Sequence, residues 1–449
     1  METGGNNLLL GVLLVSIFFV SLFYSLHYRL APVTDARAYD NIGWNLARGY
    51  GYIELEENRE NPIIDDSIIR VGPGYELFLA GIYRVFGHDI SSVWIFHALA
   101  RVISTMLLYK IVFLIFKNNS HKKPIALLSA FLFGFSPDLI LINGMLLTET
   151  LLITGLIIAT YFSIRYMEDK RVMTAFYAGL SFGLTALVRP TVLLATVLFF
   201  FILLVYRRYK HAALFIIIPV IVVGGWSLRN SFLYERPLFT TTAGSYDLWV
   251  GNHSEATGGF DKTEEIQKAR NSMHSTELSS FALKKYFTFL SEHPFQFIEL
   301  QFRKTAIYFS LIRPTGFWSF LRSSPLEQIL TLVGSGVWTL ILFVFGASGA
   351  IYLFSTMGDI KTKLFLLFAF LQPLAVIPII VETRYRYPLF PFLAVCAAFF
   401  MVKFLTETKE KKALYRTFGE VVILFVSLTF YDIWMNVGEF FLKLNNLIS

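Results

Sequence analysis

The chain has few charged residues and almost no cysteine. Only 16% of its 449 residues are Asp, Glu, Lys or Arg, whereas a soluble domain carries about 25%. The one cysteine, Cys396, lies within an apolar run, which excludes a disulfide framework and a thiolate metal site. The sequence also lacks a P-loop, a His/Cys metal spacing and a nucleophilic-serine motif, which argues against ATP-driven and zinc chemistry.

Apolar and aromatic residues are correspondingly abundant. Hydrophobic residues make up 55% of the chain and aromatic residues 17%, and the mean hydropathy is +0.57. This composition predicts a membrane protein. The net charge of +7 does not indicate a nucleic-acid partner, because Lys and Arg cluster in short loops between apolar runs. The first apolar run, Leu8 to Leu26, has no cleavage site after it and is interpreted as a retained signal anchor.

Further apolar runs have the length of about 20 residues that crosses a hydrocarbon core about 30 Å thick. With the first run they predict an all-α polytopic membrane protein of about 11 transmembrane helices. These further runs lie at approximately 92–116, 124–142, 146–167, 173–188, 190–206, 211–232, 328–354, 362–381, 388–405 and 418–440.

Basic residues predict the orientation of the chain. Loops that share one side of the predicted span order are rich in Lys and Arg, which is typical of the cytoplasmic side; they are 117–123, 166–171, 206–211, 358–363 and 403–416. The N-terminus is then cytoplasmic and the C-terminus extracytoplasmic, as are two large loops, 29–91 and 233–327. We expect one transmembrane domain, 1–449, without a separate C-terminal soluble domain.

The first large loop opens with Asp35, Tyr39 and Asp40 directly after the first span. On a helix Asp35 and Tyr39 share a face, whereas Asp40 lies about 140° round from Asp35. A solvated amphipathic helix and a functional site explain this stretch equally well. A turn at 72–74 precedes an apolar-rich helix that is expected to lie in the membrane interface, and 280–312 of the second loop shows a similar helical pattern.

Several arginines fall at or near the extracytoplasmic ends of predicted spans. They are Arg70, Arg101, Arg189, Arg229, Arg384 and Arg386. One such residue is best explained by snorkelling to lipid headgroups. Six together indicate a common anionic partner, and a phosphate fits because guanidinium binds it bidentately. Fewer acids share this rim: Asp35, Asp40, Asp138, Glu149 and Glu382. For Glu149, about a turn into an apolar helix, a structural pairing with an arginine and a functional role are both open.

Several weak motifs occur in a fixed order over most of the chain. They are Asp-x-x-x-Tyr at Asp35, Gly-x-Gly-Tyr at Gly49, Arg-x-x-Pro-Gly-Tyr at Arg70, Thr148-Glu149, Arg189-Pro190, Trp226-Ser-Leu-Arg229-Asn230, Leu248-Trp249-Val-Gly251-Asn252 and Arg384-Tyr-Arg386-Tyr-Pro388. Together they resemble the C-type (GT-C) glycosyltransferases of glycosyltransferase family 39, the type of the protein O-mannosyltransferases and the aminoarabinose lipid A transferases. The resemblance implies a GT-C fold with interfacial helices in the two large loops.

The resemblance also implies a reaction. A sugar would pass, with inversion, from a polyprenyl-phosphate donor to the hydroxyl of a glycan, lipid or protein acceptor at the extracytoplasmic face of the plasma membrane. Asp35 matches the general base of the family. Glu149 matches a second catalytic acid, which would orient the acceptor or, with Asp35, hold a divalent cation. Many relatives have another acid directly after the first-loop aspartate, where this chain has Ala36.

The predicted substrate-binding residues surround these two acids. Arg70, Arg384 and Arg386 are the candidates for a clamp on the donor phosphate. The predicted set is completed by Tyr39, Asp40, Tyr75, Arg189, Arg229 and Tyr385. Membrane lipids are expected partners as well.

Two other interpretations fit parts of the pattern. A lipid or solute transporter places ionisable residues near the middle of the membrane, whereas the charges here cluster at one rim, which favours an interfacial enzyme. An oligosaccharide ligase or polymerase of the same fold would present a similar carboxylate and basic clamp, so the sequence separates it poorly from a transferase of single sugars.

Overall fold

The computed structural model describes residues 2–70, 72–312 and 325–438. Within these ranges the chain is built from helices and contains no β-strand, so the prediction of an all-α protein is confirmed. The part of the second large loop at 313–324, the residues after 438 and Val71 of the Arg-x-x-Pro-Gly-Tyr motif lie outside the described residues.

Most of the helices follow the apolar runs of the sequence, and others lie in the two large loops. They are α1 (Glu2–Tyr28), α2 (Asp35–Ala47), α3 (Gly74–Phe86), α4 (Ile90–Ile115), α5 (Lys122–Gly134), α6 (Pro137–Asn143), α7 (Glu149–Asp169), α8 (Val172–Val188), α9 (Leu193–Val205), α10 (Tyr209–Leu233), α11 (Ala243–Val250), α12 (Glu264–Ser272), α13 (Ser275–Glu292), α14 (Pro294–Phe309), α15 (Pro325–Thr356), α16 (Ile360–Val376), α17 (Phe390–Thr406) and α18 (Lys411–Met435).

Seven helices of the described chain are long and apolar enough to cross a membrane. They are α1, α4, α7, α10, α15, α17 together with the turn that precedes it, and α18. The number rises to eight if the bent pair α5 and α6 forms one span. The other predicted spans coincide with the shorter helices α8, α9 and α16, of 17, 13 and 17 residues. The multi-span character is therefore confirmed, and the count of about 11 stays a prediction.

Proline divides two segments that the sequence predicts as continuous. The predicted span 124–142 is the pair α5 and α6, which meet at an angle of 51°. Pro137 lies in the first turn of α6, where its missing N–H costs no helix hydrogen bond. Pro294 begins α14 in the same way, so the helical stretch predicted at 280–312 is the two helices α13 and α14. Helix periodicity predicts such segments correctly but misses the break.

The first large loop folds back on itself through α2 and α3. The rings of Tyr39 and Tyr75 lie edge to face with centroids 5.6 Å apart. A Cβ atom at Gly43 would approach the Leu79 Cβ to 2.7 Å, so the two helices pack closely here. The packing buries the Tyr39 face of α2 and leaves Asp35 at the N-terminus of that helix, at the edge of the packed pair.

A glycine turn joins the first large loop to the end of α8. A Cβ atom at Gly72 would lie 2.2 Å from the Leu187 carbonyl oxygen, and one at Gly74 would lie 2.7 Å from the Val188 nitrogen. Only glycine permits this approach of two backbones. The contact brings Arg70, just before the turn, next to the helix end that carries Arg189.

The second large loop packs on the same place. The Thr242 N–H donates to the Ile68 carbonyl at 3.1 Å, and the Thr241 hydroxyl donates to the same carbonyl at 2.7 Å. Farther along, the Asn252 amide donates to the Ile379 carbonyl at 3.0 Å, just before the turn Thr383–Leu389. The two loops and this turn therefore meet at one end of the helix bundle, which we call the loop end.

The basic-loop pattern makes a prediction about the loop end. We expect a cysteine at Glu60 to react with a membrane-impermeant maleimide added outside intact cells, and a cysteine at Ser120 to stay unlabelled until the membrane is opened. Both side chains are exposed, and the native Cys396 is buried and contributes little background. Labelling of Ser120→Cys alone from outside would reverse the predicted orientation.

Candidate active site

Asp35 meets two arginines at the loop end. One oxygen of its carboxylate accepts a hydrogen bond from Arg384 Nη2 at 2.9 Å, and the other lies 3.7 Å from Arg70 Nη1. Its side chain remains 37% exposed, so it can be reached from the loop end. Three of the predicted site residues, far apart in the sequence, are therefore neighbours.

The surroundings of Asp35 determine its proton affinity. Burial alone would raise the pKa of the carboxyl, but the charges of Arg384, Arg70 and Arg189 outweigh it and hold that pKa below the usual value of 3.8. An opposite charge nearby favours the ionised form of an acid. Asp35 is thus a carboxylate at neutral pH, and its basicity is low as long as the arginines remain paired with it.

Arg384 lies between Asp35 and two further acids. Its Nε donates to Glu382 Oε2 at 2.9 Å and lies 3.8 Å from Glu149 Oε1. Its side chain is 15% exposed. The guanidinium therefore connects the first large loop with the start of α7.

Glu149 is the buried partner of these arginines. Its side chain is 0% exposed, and Oε1 accepts a hydrogen bond from Arg189 Nη2 at 2.8 Å. Arg189 Nε also donates to the Thr148 hydroxyl at 3.0 Å. Removing one member of such a buried pair leaves an uncompensated charge. The structure thus favours a structural pairing over a direct contact of Glu149 with the acceptor, and its catalytic role stays a prediction.

Arg70 has a partner that the sequence did not single out. Its Nε and Nη2 both donate to Glu54 Oε2, at 3.1 and 2.6 Å. Glu54 follows the Gly-x-Gly-Tyr motif, whose glycines have φ of 79° and 95° in the left-handed region. The turn at these glycines places Glu54 opposite Arg70, a contact that no helical or strand periodicity indicates.

Tyr385 connects the arginine cluster to a cavity. The Arg189 guanidinium carbon lies 4.9 Å from the centroid of its ring and that of Arg384 lies 5.4 Å away. Both distances permit cation–π attraction. Tyr39 lies near the same cluster, and burial together with the charge of Asp35 raises the pKa of its hydroxyl well above the usual value.

A cavity of about 460 Å³ extends from Arg189 and Tyr385. Its walls come from the first turns of α9, the last turn of α16 and the second large loop. Most of the lining is apolar, with Leu194, Phe239, Ala375, Val376, Ile379 and Ile380, and its charged members are Arg189 and Asp247. An apolar space with a few polar groups at one end fits an amphipathic ligand.

Asp247 of α11 is a second residue that the sequence analysis missed. It directly precedes the Leu248-Trp249 motif. Burial, opposed by the charge of Arg189, raises the pKa of its carboxyl to about 7. The charge of Asp35 also contributes to this shift, so the two acids belong to one electrostatic site.

Two predicted substrate-binding residues of the first loop and α3 lie apart from the Asp35–Arg384 pair. Asp40 accepts hydrogen bonds from the Tyr83 hydroxyl at 2.6 Å and from His88 Nε2 at 2.9 Å. Tyr75 is fully buried, and its hydroxyl is 3.3 Å from His97 Nε2. The structure gives both side chains packing partners, and their contact with a substrate stays a prediction.

Two predicted arginines also lie elsewhere. Arg386 is 1% exposed and donates from Nη1 to the Ser310 carbonyl at 2.8 Å. Arg229 lies with its guanidinium carbon 4.9 Å from the Trp226 ring centroid and 5.9 Å from that of Tyr52. Of the predicted clamp, the structure therefore brings Arg70 and Arg384 to Asp35 but not Arg386.

The arrangement of Asp35 and Glu149 bears on the predicted cation. Arg384 lies between the two carboxylates and contacts both. In the described ranges, no three His, Cys, Asp or Glu side chains form a group that could hold a metal ion. The binding of a divalent cation by Asp35 and Glu149 stays a prediction.

Comparison with known proteins identifies a family resemblance. Residues 70–226 match the family of dolichyl-phosphate-mannose-protein mannosyltransferases. The matched segment is about a third of the chain and includes Arg70, Glu149 and Arg189. It confirms the resemblance to family 39 of the C-type glycosyltransferases that the motifs indicated.

Solved structures similar to the chain include two of ArnT from Cupriavidus metallidurans. One is bound to undecaprenyl phosphate, with 12% identity and a TM-score of 0.46. The other is in the apo state, with 10% identity and a TM-score of 0.43. Each comparison covers 100% of this chain and 74% of the ArnT chain. No curated protein shows significant sequence similarity to this chain.

A second buried acid joins two parts of the first large loop. Glu76 of α3 is fully buried, and its Oε1 accepts a hydrogen bond from the Tyr52 hydroxyl at 3.2 Å. Its Oε2 has no hydrogen-bond partner among the described residues. Burial raises the pKa of this carboxyl from 4.5 to about 8, so the folded protein holds it protonated at neutral pH.

The raised pKa of Glu76 predicts that the stability of the protein depends on pH. Between pH 4.5 and about 8 the folded state keeps the proton on Glu76 while the unfolded state loses it. The contribution of Glu76 is therefore fully present below pH 4.5 and is lost as the pH rises toward 8, at up to about 1.4 kcal/mol per pH unit. Glu76→Gln keeps an acceptor for Tyr52. In detergent, we expect its thermal midpoint to fall less between pH 4.5 and about 8 than that of the wild type. The exposed control Glu60→Gln should keep the wild-type slope, and parallel curves for Glu76→Gln would contradict the assignment.

Proposed function

We propose that the chain is a membrane glycosyltransferase that takes a sugar from a polyprenyl-phosphate donor. One observation carries the proposal: a partly exposed carboxylate, Asp35, is paired with Arg384 and Arg70 beside an amphipathic cavity. A base and cationic groups side by side are what transfer from a phosphate leaving group requires. The family match over residues 70–226 supports the same class of enzyme.

The cavity is the proposed donor site. Its apolar walls on α9 and α16 suit the first isoprene units of a lipid that enters from the bilayer. Arg189 and Tyr385 line this cavity, and Tyr385 lies next to Arg384, the partner of Asp35, so the phosphate and the sugar would be at this end. The related family is described by its dolichyl-phosphate-mannose donor, and we infer a donor of the same lipid-phosphate class here.

Asp35 is the proposed general base. Its carboxylate would take the proton of an acceptor hydroxyl as the oxygen of that hydroxyl attacks the anomeric carbon of the donor sugar. The bond from this carbon to the phosphate oxygen would break on the opposite face, which inverts the anomeric configuration. The leaving phosphate gains negative charge as the bond breaks, and Arg70 and Arg384 are placed to stabilise it.

The same arginines would link donor binding to the strength of the base. Without a donor, Arg384 and Arg70 lower the pKa of Asp35 by direct pairing. A donor phosphate would compete with Asp35 for both guanidinium groups. As they turn toward the phosphate, the affinity of Asp35 for a proton would increase. The base would then become effective mainly when the donor is in place.

The proposed acceptor approaches from outside the membrane. The exposed side of Asp35 lies at the loop end, and the pattern of basic loops predicts that this end is on the extracytoplasmic side of the plasma membrane. A glycan, a lipid headgroup or a protein side chain would supply the hydroxyl group. The two large loops would determine which acceptor binds, because they surround this approach.

The mechanism predicts the effect of removing the base. Asp35→Asn keeps the size of the side chain and an acceptor for Arg384 but removes its basicity. We expect sugar transfer to fall at least about a hundredfold, because a positioned base contributes that much or more. The variant should still bind undecaprenyl phosphate. Transfer is measured in proteoliposomes that contain radiolabelled undecaprenyl-phosphate sugars, with cell-envelope extract as acceptor.

The matched control is Glu60→Gln, which removes an exposed carboxylate from the same loop. It should transfer sugar at the wild-type rate. Near-normal transfer by Asp35→Asn would show that another group removes the proton. Absence of transfer by the wild-type protein from every sugar donor, with uptake of a solute or lipid instead, would favour a transporter.

A further inference from the structure

Asp247 is a carboxylate of the cavity wall that pairs with no other described residue. In the described parts of the chain, no side chain or backbone group donates a hydrogen bond to its carboxyl, and no cation pairs with it. The other acids around the site differ in this respect, since Asp35, Glu149 and Glu382 each pair with an arginine. Asp247 faces a cavity that is otherwise mainly apolar.

An unpaired carboxyl in such surroundings is costly. Asp247 is half-buried, and taking a carboxyl largely out of water costs free energy unless another group forms a hydrogen bond with it. Burial raises the pKa of Asp247 to about 7 although Arg189 and Arg384 lower it, and Asp35 and Glu382 raise it further. The carboxyl can therefore both accept and donate hydrogen bonds near neutral pH. A ligand with hydroxyl groups would satisfy it.

The position of Asp247 decides which part of the donor it faces. Asp247 lines the cavity together with Arg189 and Tyr385 and lies close enough to interact with both, whereas the lining residues from α16 are apolar. A carboxylate repels a phosphate, and an isoprenoid tail offers it no hydrogen bond. In a lipid-phosphate sugar, only the sugar carries hydroxyl groups and is attached directly to the phosphate.

We propose that Asp247 binds hydroxyl groups of the donor sugar and thereby sets the sugar specificity of the enzyme. This assignment rests on the proposed function. Two hydroxyls of one sugar ring can approach the two oxygens of a carboxylate together. Thr191, which also lines the cavity and forms no side-chain hydrogen bond with the described residues, adds a hydroxyl for a second contact. A site that bonds a substrate hydroxyl discriminates strongly against analogues that lack it.

The test compares donors with and without a sugar. Binding of undecaprenyl phosphate and of its mannosyl, glucosyl and galactosyl esters is measured for protein in nanodiscs. We expect the wild type to prefer one sugar ester over undecaprenyl phosphate. Asp247→Ala should reduce the affinity for that ester by about tenfold to a hundredfold, as for a lost hydrogen bond to a charged group. Its affinity for sugar-free undecaprenyl phosphate should be unchanged or higher.

Two further variants complete the design. Asp247→Asn keeps the side-chain volume, so it should fold as the wild type does and lose part of the preference among sugars. Glu264→Gln, an exposed acid of the same loop, should leave every affinity unchanged.

The outcomes separate the two proposals. Wild-type preferences in both Asp247 variants would overturn the role of Asp247 while leaving the proposed function in place. Equal losses of affinity for the sugar-free lipid and for the sugar ester would also overturn the role of Asp247, because they would indicate a general disturbance of the cavity. A wild-type protein that binds none of the lipids would overturn the proposed function and this assignment with it.

Discussion

The site depends on one guanidinium group. Arg384 contacts Asp35, Glu382 and Glu149, and it lies over the same tyrosine ring as Arg189. It thus connects the first large loop, the start of α7 and the turn before α17. Glu149 is fully buried, and its pairing with two arginines limits the cost of that burial. At the loop end each of these acids contacts at least one arginine, so the charged side chains orient one another.

Close backbone contacts hold this charge network in place. The glycine turn at 72–74 packs against the end of α8, and the second large loop donates hydrogen bonds to the Ile68 carbonyl. The segment before Arg384 is fixed by the Asn252 amide and by Lys304, whose Nζ donates to the Ile379 carbonyl at 2.9 Å. The proposed site needs such rigidity, since its charges must remain aligned before a ligand arrives.

The sequence predicts the helices and the general location of the site, and the tertiary contacts decide the rest. The helical angle between Asp35 and Asp40 predicts that they face apart, and Asp40 indeed packs with Tyr83 and His88. The sequence shows several arginines near the predicted extracytoplasmic ends of the spans. Only the fold shows that Arg384 contacts Asp35 whereas Arg386 is buried elsewhere. Glu54 and Asp247 were missed because their importance comes from distant partners and from the cavity rather than from spacing along the chain.

Arg384 is proposed to control the protonation of Asp35, the proposed base, and the pH dependence of transfer tests this directly. Kcat/KM of the wild type and of Arg384→Gln is measured toward acidic pH, where loss of activity reports protonation of the free base. Since Arg384 lowers the pKa of Asp35, the account predicts that the acidic limb of Arg384→Gln lies at higher pH than that of the wild type. An acidic limb that stays in place while overall activity falls would contradict the account.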